Sequence, residues 1–347
     1  MKKLFALVMA MAMVLSLAAC GGSAAPAAPA AEEKEAAASA PAAASGEAAA
    51  PAVDSDKTYT IGICQLVQHD ALDAATQGFK DYLTEQLGDK VTFDEQNAQG
   101  DSTTCATICT GFVSNQYDLI MANATPAVQA AVSATSDIPI VGTSVTDYAT
   151  ALNIANWTGT VGGNISGTSD LAPLDQQAAM IQELFPDADT IGLLYCSGEP
   201  NSVYQIEVVQ GYLEDMGYAC ERFGFADVNE LASVTQSACD YADVIYIPTD
   251  NTCAQYTETI ANVVIPAQVP VVAGESGICS GCGVATLSIS YYDLGYATGL
   301  MAVKILKGEA NISEMAVQFA PQAIKMYNEA NCEALGIAIP DGYEPIG

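Results

Sequence analysis

The sequence predicts an α/β protein made of two lobes of one topology, each a mostly parallel sheet covered by helices on both faces. Three observations carry this prediction. From Lys57 onward, β-branched apolar runs alternate with helical stretches, the pattern of βαβ units. Those runs are continuous in Val, Ile and Leu, as strands buried on both faces require. The order of the segments then repeats at an offset of about 130 residues: "TIGICQLVQHDALDAATQGFKDYL" from Thr60 is echoed by "TIGLLYCSGEPNSVYQIEVVQGYL" from Thr190, "YDLIMANAT" by "ADVIYIPTD", and "IPIVGTSV" by "VPVVAGES".

In chain order, the first element is "MKKLFALVMAMAMVLSLAAC", two lysines and a short apolar run with the form of a secretory signal. Its end, Leu17-Ala18-Ala19-Cys20, resembles the bacterial lipobox, which implies cleavage before Cys20 and lipidation of its thiol. Residues 21–56 hold 17 alanines and four prolines and cannot pack a core, so they read as a tether spanning roughly 30–35 Å as a coil. The expected strands of the first lobe are Tyr59–Leu66, Val91–Gln96, Leu119–Ala122 and Ile138–Gly142. Those of the second are Thr190–Tyr195, Ala219–Gly224, Val244–Ile247 and Val269–Ala273. No stretch after the signal is long and apolar enough to span a bilayer.

The formal net charge of −31 argues against nucleic acid, whose phosphates need a basic face. Of eleven cysteines, ten remain once Cys20 is set aside. Cys105 and Cys109 have i,i+4 spacing on an expected helix. Cys279 and Cys282, in "GICSGCG", fall in an expected glycine-rich loop, where free buried thiols or a local disulfide fit better than a redox motif, which would open a helix. No four-ligand zinc set and no cofactor motif is visible. The glycines at 159, 162, 163 and 167 lack the GK[ST] of a phosphate loop and suit a hinge or a turn.

Ligands of open parallel sheets sit beyond the carboxyl ends of the strands. The residues there are Gln65, His69, Thr125, Thr143 and Ser144 in the first lobe, and Asn201, Ser202, Asp250, Asn251 and Glu275 in the second. The echoes place Thr125 opposite Asp250 and Ser144 opposite Glu275, hydroxyls facing carboxylates. Only six cationic residues follow residue 57, none at these edges. A zwitterion fits: its carboxylate on hydroxyls and helix N-terminal N–H groups, its ammonium on Asp250 or Glu275. Taken singly, each of these residues also suits a helix cap. His69, the one histidine, lacks a nucleophile or metal partners, so it is expected to line the cleft, with a surface helix cap as the other reading. Tyr204, Tyr291, Tyr292 and Trp157 are candidate aromatic walls.

With these residues in place, the chain resembles the extracytoplasmic ABC-transporter substrate-binding lipoproteins typified by tryptophan- and tyrosine-binding members. The resemblance rests on "IGICQLVQHDALDAATQGF", "GGNISGTSDLAPLDQQ", "EPNSVYQ", "DVIYIPTDN", "YYDLGYATGLMAVKILKGE" and "MYNEANCEALGIAIP", and it covers residues 57–341. It implies a type I periplasmic-binding-protein fold: two Rossmann-like lobes joined by three crossing segments, "TVGGNISGT", "ATLSIS" and "MAVQFAP". The first lobe would then comprise 57–160 and 289–316, the second 161–288 and 317–347, after a signal over 1–20 and a tether over 21–56. It further implies a monomer without enzymatic activity, held outside the bacterial cell membrane through Cys20, that delivers an aromatic amino acid to an ABC permease. A ligand-sensing partner of a membrane signalling receptor is the alternative, since both classes share the fold.

Overall fold

The computed structural model describes residues 57–320 and 322–346; the expected signal, Cys20 and the tether lie outside them. The first lobe opens with β1 (Tyr59–Gln65), α1 (Asp70–Leu87), β2 (Val91–Asn97), α2 (Ser102–Ser114), β3 (Leu119–Asn123), α3 (Thr125–Ala134), β4 (Ile140–Val145), α4 (Tyr148–Ala151) and β5 (Ile165–Ser169). The second follows with α5 (Leu174–Leu184), β6 (Thr190–Cys196), α6 (Pro200–Asp215), β7 (Ala219–Phe225), α7 (Leu231–Tyr241), β8 (Val244–Ile247), α8 (Asn251–Gln255), α9 (Thr257–Ala267), β9 (Val271–Ala273), α10 (Ser276–Cys282) and β10 (Ala285–Ile289). The chain ends with α11 (Tyr291–Leu306), β11 (Gln318–Phe319), β12 (Ala323–Tyr327), α12 (Glu329–Leu335) and β13 (Glu344–Pro345).

The two sheets run β2-β1-β3-β4-β5-β11 and β7-β6-β8-β9-β10-β12-β13. The first five strands of each have the same order, so the repeat seen in the sequence is a repeat of topology. All pairings are parallel except that of β10 with β12. In each lobe the order reverses around the first strand, which opens a crevice at the carboxyl edge.

The lobe limits differ from expectation at two places. β5 and β11 are hydrogen-bonded into the first sheet, so residues 161–169 and 317–319 belong with it, not with the second. "ISGTS" and "ATLSI" are strands in their own right that then lead into crossings. Their polar side chains hide the strand signal, yet they are buried, and those of the first are paired: Ser166 Oγ donates to the Met315 carbonyl at 2.9 Å, and Thr168 Oγ1 lies 2.8 Å from Thr298 Oγ1. The expected loop over Cys279 and Cys282 is the helix α10, capped by Glu275. A Cβ at Gly281 would strike the Thr257 side chain, so this glycine serves close helix packing.

Each sheet is packed on both faces. In the first lobe, Phe112, Ile120 and Val128 fill one side and Ile61, Ile63, Phe79 and Met121 the other. The second has equivalent layers around Leu193 and Ile206, and around Ile245 and Ile260. Helix α11 follows β10 of the second lobe but packs on α1 of the first. Glycines permit this approach: a Cβ at Gly295 would strike the Ala75 carbonyl, and one at Gly78 the Tyr292 carbonyl. No described helix is long and apolar enough to cross a membrane.

Candidate functional site

The first lobe's edge is built at the ends of β1, β3 and β4, where Gln65, Asn123 and Thr143 share one row of the sheet. Gln65 is committed to its own lobe: Nε2 donates to Asp73 and to the Val67 carbonyl, and Oε1 accepts from Thr76. Thr143 accepts from Thr168 at 3.2 Å. Beyond Gly142 the β4–β5 register shifts, a bulge of the kind that re-aims side chains near sites. Ser144, within it, has φ 54°, and Ala124, ending β3, has φ 89°. The other non-glycine residues with positive φ are Gln99, Gln116, Asn153 and Gln268, all exposed. The two buried ones thus sit side by side at neighbouring strand ends, and such strain costs about 1–3 kcal/mol each. Thr125 begins α3, whose N-terminus has no side-chain cap.

In the second lobe, Asp250 and Glu275 lie at the ends predicted, and both act as helix caps. Asp250 Oδ1 accepts from Cys253 N at 2.8 Å and Oδ2 from Cys196 N at 2.7 Å. Glu275 accepts from the Gly277 and Ile278 amides. Asn201 donates to Glu199 and the Thr249 carbonyl. Glu199, absent from the predicted set, accepts from the amides of Asn251 and Thr252, the Asn251 and Asn201 side chains, and the Thr252 hydroxyl.

Asp170, also unpredicted, directly follows β5. It is 3 % exposed, and its Oδ2 accepts from Tyr291 at 3.0 Å while Oδ1 has no partner. Burial pushes its carboxyl up to about 6, against the pull of the Tyr291 and Thr146 hydroxyls. Burial and the Glu199 charge push Asp250 up to about 7, and burial raises Glu275 against the pull of the Gly277 and Ile278 amides. Asp170, Glu199, Asp250 and Glu275 are the buried carboxylates among the described residues, and no Lys, Arg or His is buried with them. The ion pairs Lys57–Asp118, Lys80–Glu95 and Lys325–Glu183 are at partly exposed positions elsewhere.

The two edges meet. His69 Nε2 lies 3.3 Å from Asn251 Oδ1, and Gln205 Nε2 lies 3.5 Å from Thr146 Oγ1. His69 is itself the N-cap residue of α1, with Asp70 the first helical residue. Between the lobes, a cavity of about 220 Å³ is lined by Leu66, Val67 and Pro126 on one side and Cys196, Glu199 and Asn251 on the other. Buried polar atoms without partners gather at these edges: His69 Nδ1, Asn123 Oδ1, Ser144 Oγ, Asp170 Oδ1 and Asn201 Oδ1. Such atoms cost about 1–3 kcal/mol each unless something pairs with them.

Of the aromatic candidates, Trp157 packs on the first lobe's core and Tyr204 on the second's, and Tyr292 is exposed and bonds Asp81. Tyr291 reaches Asp170. All ten described cysteines are free thiols, Cys279 and Cys282 closing α10 instead of opening a helix, and no described group of side chains is arranged to hold a metal ion.

Two like-wound lobes meeting at their carboxyl edges, over buried acids and unpaired polar atoms, have the build of a small-solute receptor. Residues 60–343 match the model of the family described as ABC transporter substrate binding protein, and the chain belongs to that family. It is 35 % identical over 285 residues to a tyrosine-binding protein of Clostridioides difficile strain R20291, covering 81 % of this chain and 82 % of that one. It is 34 % identical to an ABC domain from Streptococcus pneumoniae solved with L-Trp, with TM-score 0.79 over 84 % of this chain and 100 % of the other. A ligand-free, open substrate-binding protein from Clostridium difficile, at 36 % identity, superposes less well, with TM-score 0.65 over 83 % of this chain and 99 % of that one. A leucine-binding protein from Thermotoga maritima, 13 % identical with TM-score 0.54, shares the type I periplasmic-binding-protein fold. The family places the chain outside the cytoplasm as a solute-binding component.

Proposed function

We propose that this chain is the receptor of an ABC importer, anchored through a lipid on Cys20, and that it holds an aromatic amino acid between its lobes without turnover before passing it to a membrane permease. The observation that carries the ligand class is the set of four buried carboxylates with no buried cation, of which Asp170 alone has an oxygen without a partner. An α-ammonium fits Asp170 Oδ1 through a charge-assisted hydrogen bond. Asp250 and Glu275, whose oxygens cap helices, then stand behind it as a negative field. The α-carboxylate fits the hydroxyl of Ser144 and the uncapped N-terminus of α3 at Thr125. His69, Asn123 and Asn201 supply the remaining unpaired atoms at the edges, while Gln65 and Thr143 shape the edge from inside the first lobe.

The relatives solved or described with tryptophan and tyrosine support the aromatic side chain. The better fit to the L-Trp complex than to the open relative supports a closed, ligand-ready arrangement. The test is calorimetry of the refolded, ligand-stripped protein against the twenty amino acids and against indole-3-propionate, which lacks the ammonium. One or more aromatic amino acids should bind tighter than roughly 100 μM, about −5.5 kcal/mol, and the deaminated analogue should not. No binding, or equal binding of the analogue, removes the reading.

A further inference from the structure

His69 is the chain's one histidine, and its two ring nitrogens have different surroundings. Nε2 meets Asn251 Oδ1 across the cleft at 3.3 Å, while Nδ1 is buried without a partner. The far side of the cleft decides which nitrogen bears the proton. Glu199, an acceptor only, takes the Asn251 side-chain nitrogen at 2.7 Å and its backbone N–H at 3.0 Å. It also holds Thr252 through its N–H at 2.8 Å and its hydroxyl at 2.7 Å. With its amide nitrogen so held, Asn251 can present only oxygen to the other lobe. A neutral His69 must therefore donate from Nε2, which leaves Nδ1 a bare acceptor.

We propose that His69 Nδ1 reads a hydrogen-bond donor on the ligand's side chain, so that the site selects aromatic amino acids bearing N–H or O–H, such as tryptophan and tyrosine, over phenylalanine. This inference rests on the amino-acid reading above. The ammonium is already assigned to Asp170, and His69, whose Nε2 reaches Asn251 across the cleft, is left to meet the ligand's side chain. A ligand without a side-chain donor leaves Nδ1 unpaired on closure. Glu199 is then a positioning residue: through Asn251 it sets the imidazole tautomer without touching the ligand.

Because there is one histidine, ¹⁵N-histidine labelling gives a single pair of ring resonances. In its neutral form the ring should show a protonated Nε2 and a bare Nδ1. L-tryptophan or L-tyrosine should move the Nδ1 resonance, and L-phenylalanine should not. A proton on Nδ1, or the same response to all three, overturns the inference. In calorimetry the parent should prefer tryptophan or tyrosine to phenylalanine by about tenfold or more. In His69→Phe that preference should level while phenylalanine affinity is kept. Glu199→Gln, which frees the Asn251 amide to turn, should reduce it with His69 intact. If the parent binds all three equally, the side-chain reading fails and the amino-acid function stands; if it binds none, the function itself fails.

Discussion

The replacement Asp170→Asn separates binding from stability because it should move them in opposite directions. In the ligand-free protein this carboxyl is raised from an ordinary 3.8 to about 6 by burial. The folded value lies above the unfolded one, so the group weakens folding: the penalty is full above about pH 6 and fades as the pH falls toward about 4. The shift corresponds to up to about 3 kcal/mol. Asparagine removes the charge and can still accept from Tyr291, so the ligand-free variant should melt higher at pH 7.5–8 than its parent. The ligand's ammonium, in contrast, loses its desolvated charged partner. That should cost at least about 2 kcal/mol, roughly thirtyfold in Kd. Calorimetry gives the affinity and scanning calorimetry without ligand gives the stability, on the same preparations. The parent's affinity should also weaken as pH falls below about 6, while the variant's stays flat over that step. A variant that binds within about twofold of the parent would refute the assignment of Asp170, whatever its melting temperature.

Three further outcomes follow from the same geometry. Ser144→Gly should relieve the strained backbone at φ 54° and stabilise the ligand-free protein by about 1 kcal/mol, yet weaken ligand binding through loss of the unpaired Oγ; paired melting and titration curves check both. Asp250→Ala removes the cap of α8 and the partner of the Cys196 N–H, so its main effect should be a stability loss of about 1–3 kcal/mol in denaturant melts, with a smaller affinity loss than Asp170→Asn. Gly295→Ala forces a methyl against the Ala75 carbonyl and should lower stability by about 1–3 kcal/mol by prising α11 from α1.

The duplicated plan was legible because apolar strands carry their burial in composition: β1 and β6, β3 and β8, and β4 and β9 read alike in sequence and occupy matching places in the two sheets. β5 escaped notice because Ser, Gly and Thr dominate it, and β10 because Thr286 and Ser288 interrupt its apolar residues; only the folded sheets make them strands. Asp170 was lost with β5, since a segment read as a hinge offers no strand end to inspect; aligning "NISGTSD" with the equivalent stretch before Ser290 would have marked it. Asp250 and Glu275 were placed at the right edge, but an acid between a strand and a helix looks the same in sequence whether it greets a ligand or caps the helix. Both oxygens of Asp250 turn out to face backbone N–H groups. His69 shows the converse limit: its tautomer depends on Glu199, 130 residues away in sequence, acting through Asn251.

The embrace of α1 by α11 has a bearing on how the molecule is made. The layer over Ile61, Ile63 and Met121 is closed by Ala302 and Val303, and the sheet beneath it gains its last strand only at Gln318–Phe319. A ribosome therefore emits nearly the whole polypeptide before the earliest lobe can finish, and every intermediate carries an open greasy flank that chaperones can grip. A lobe that closes so late in the chain stays threadable for longer, a property that suits export across a membrane.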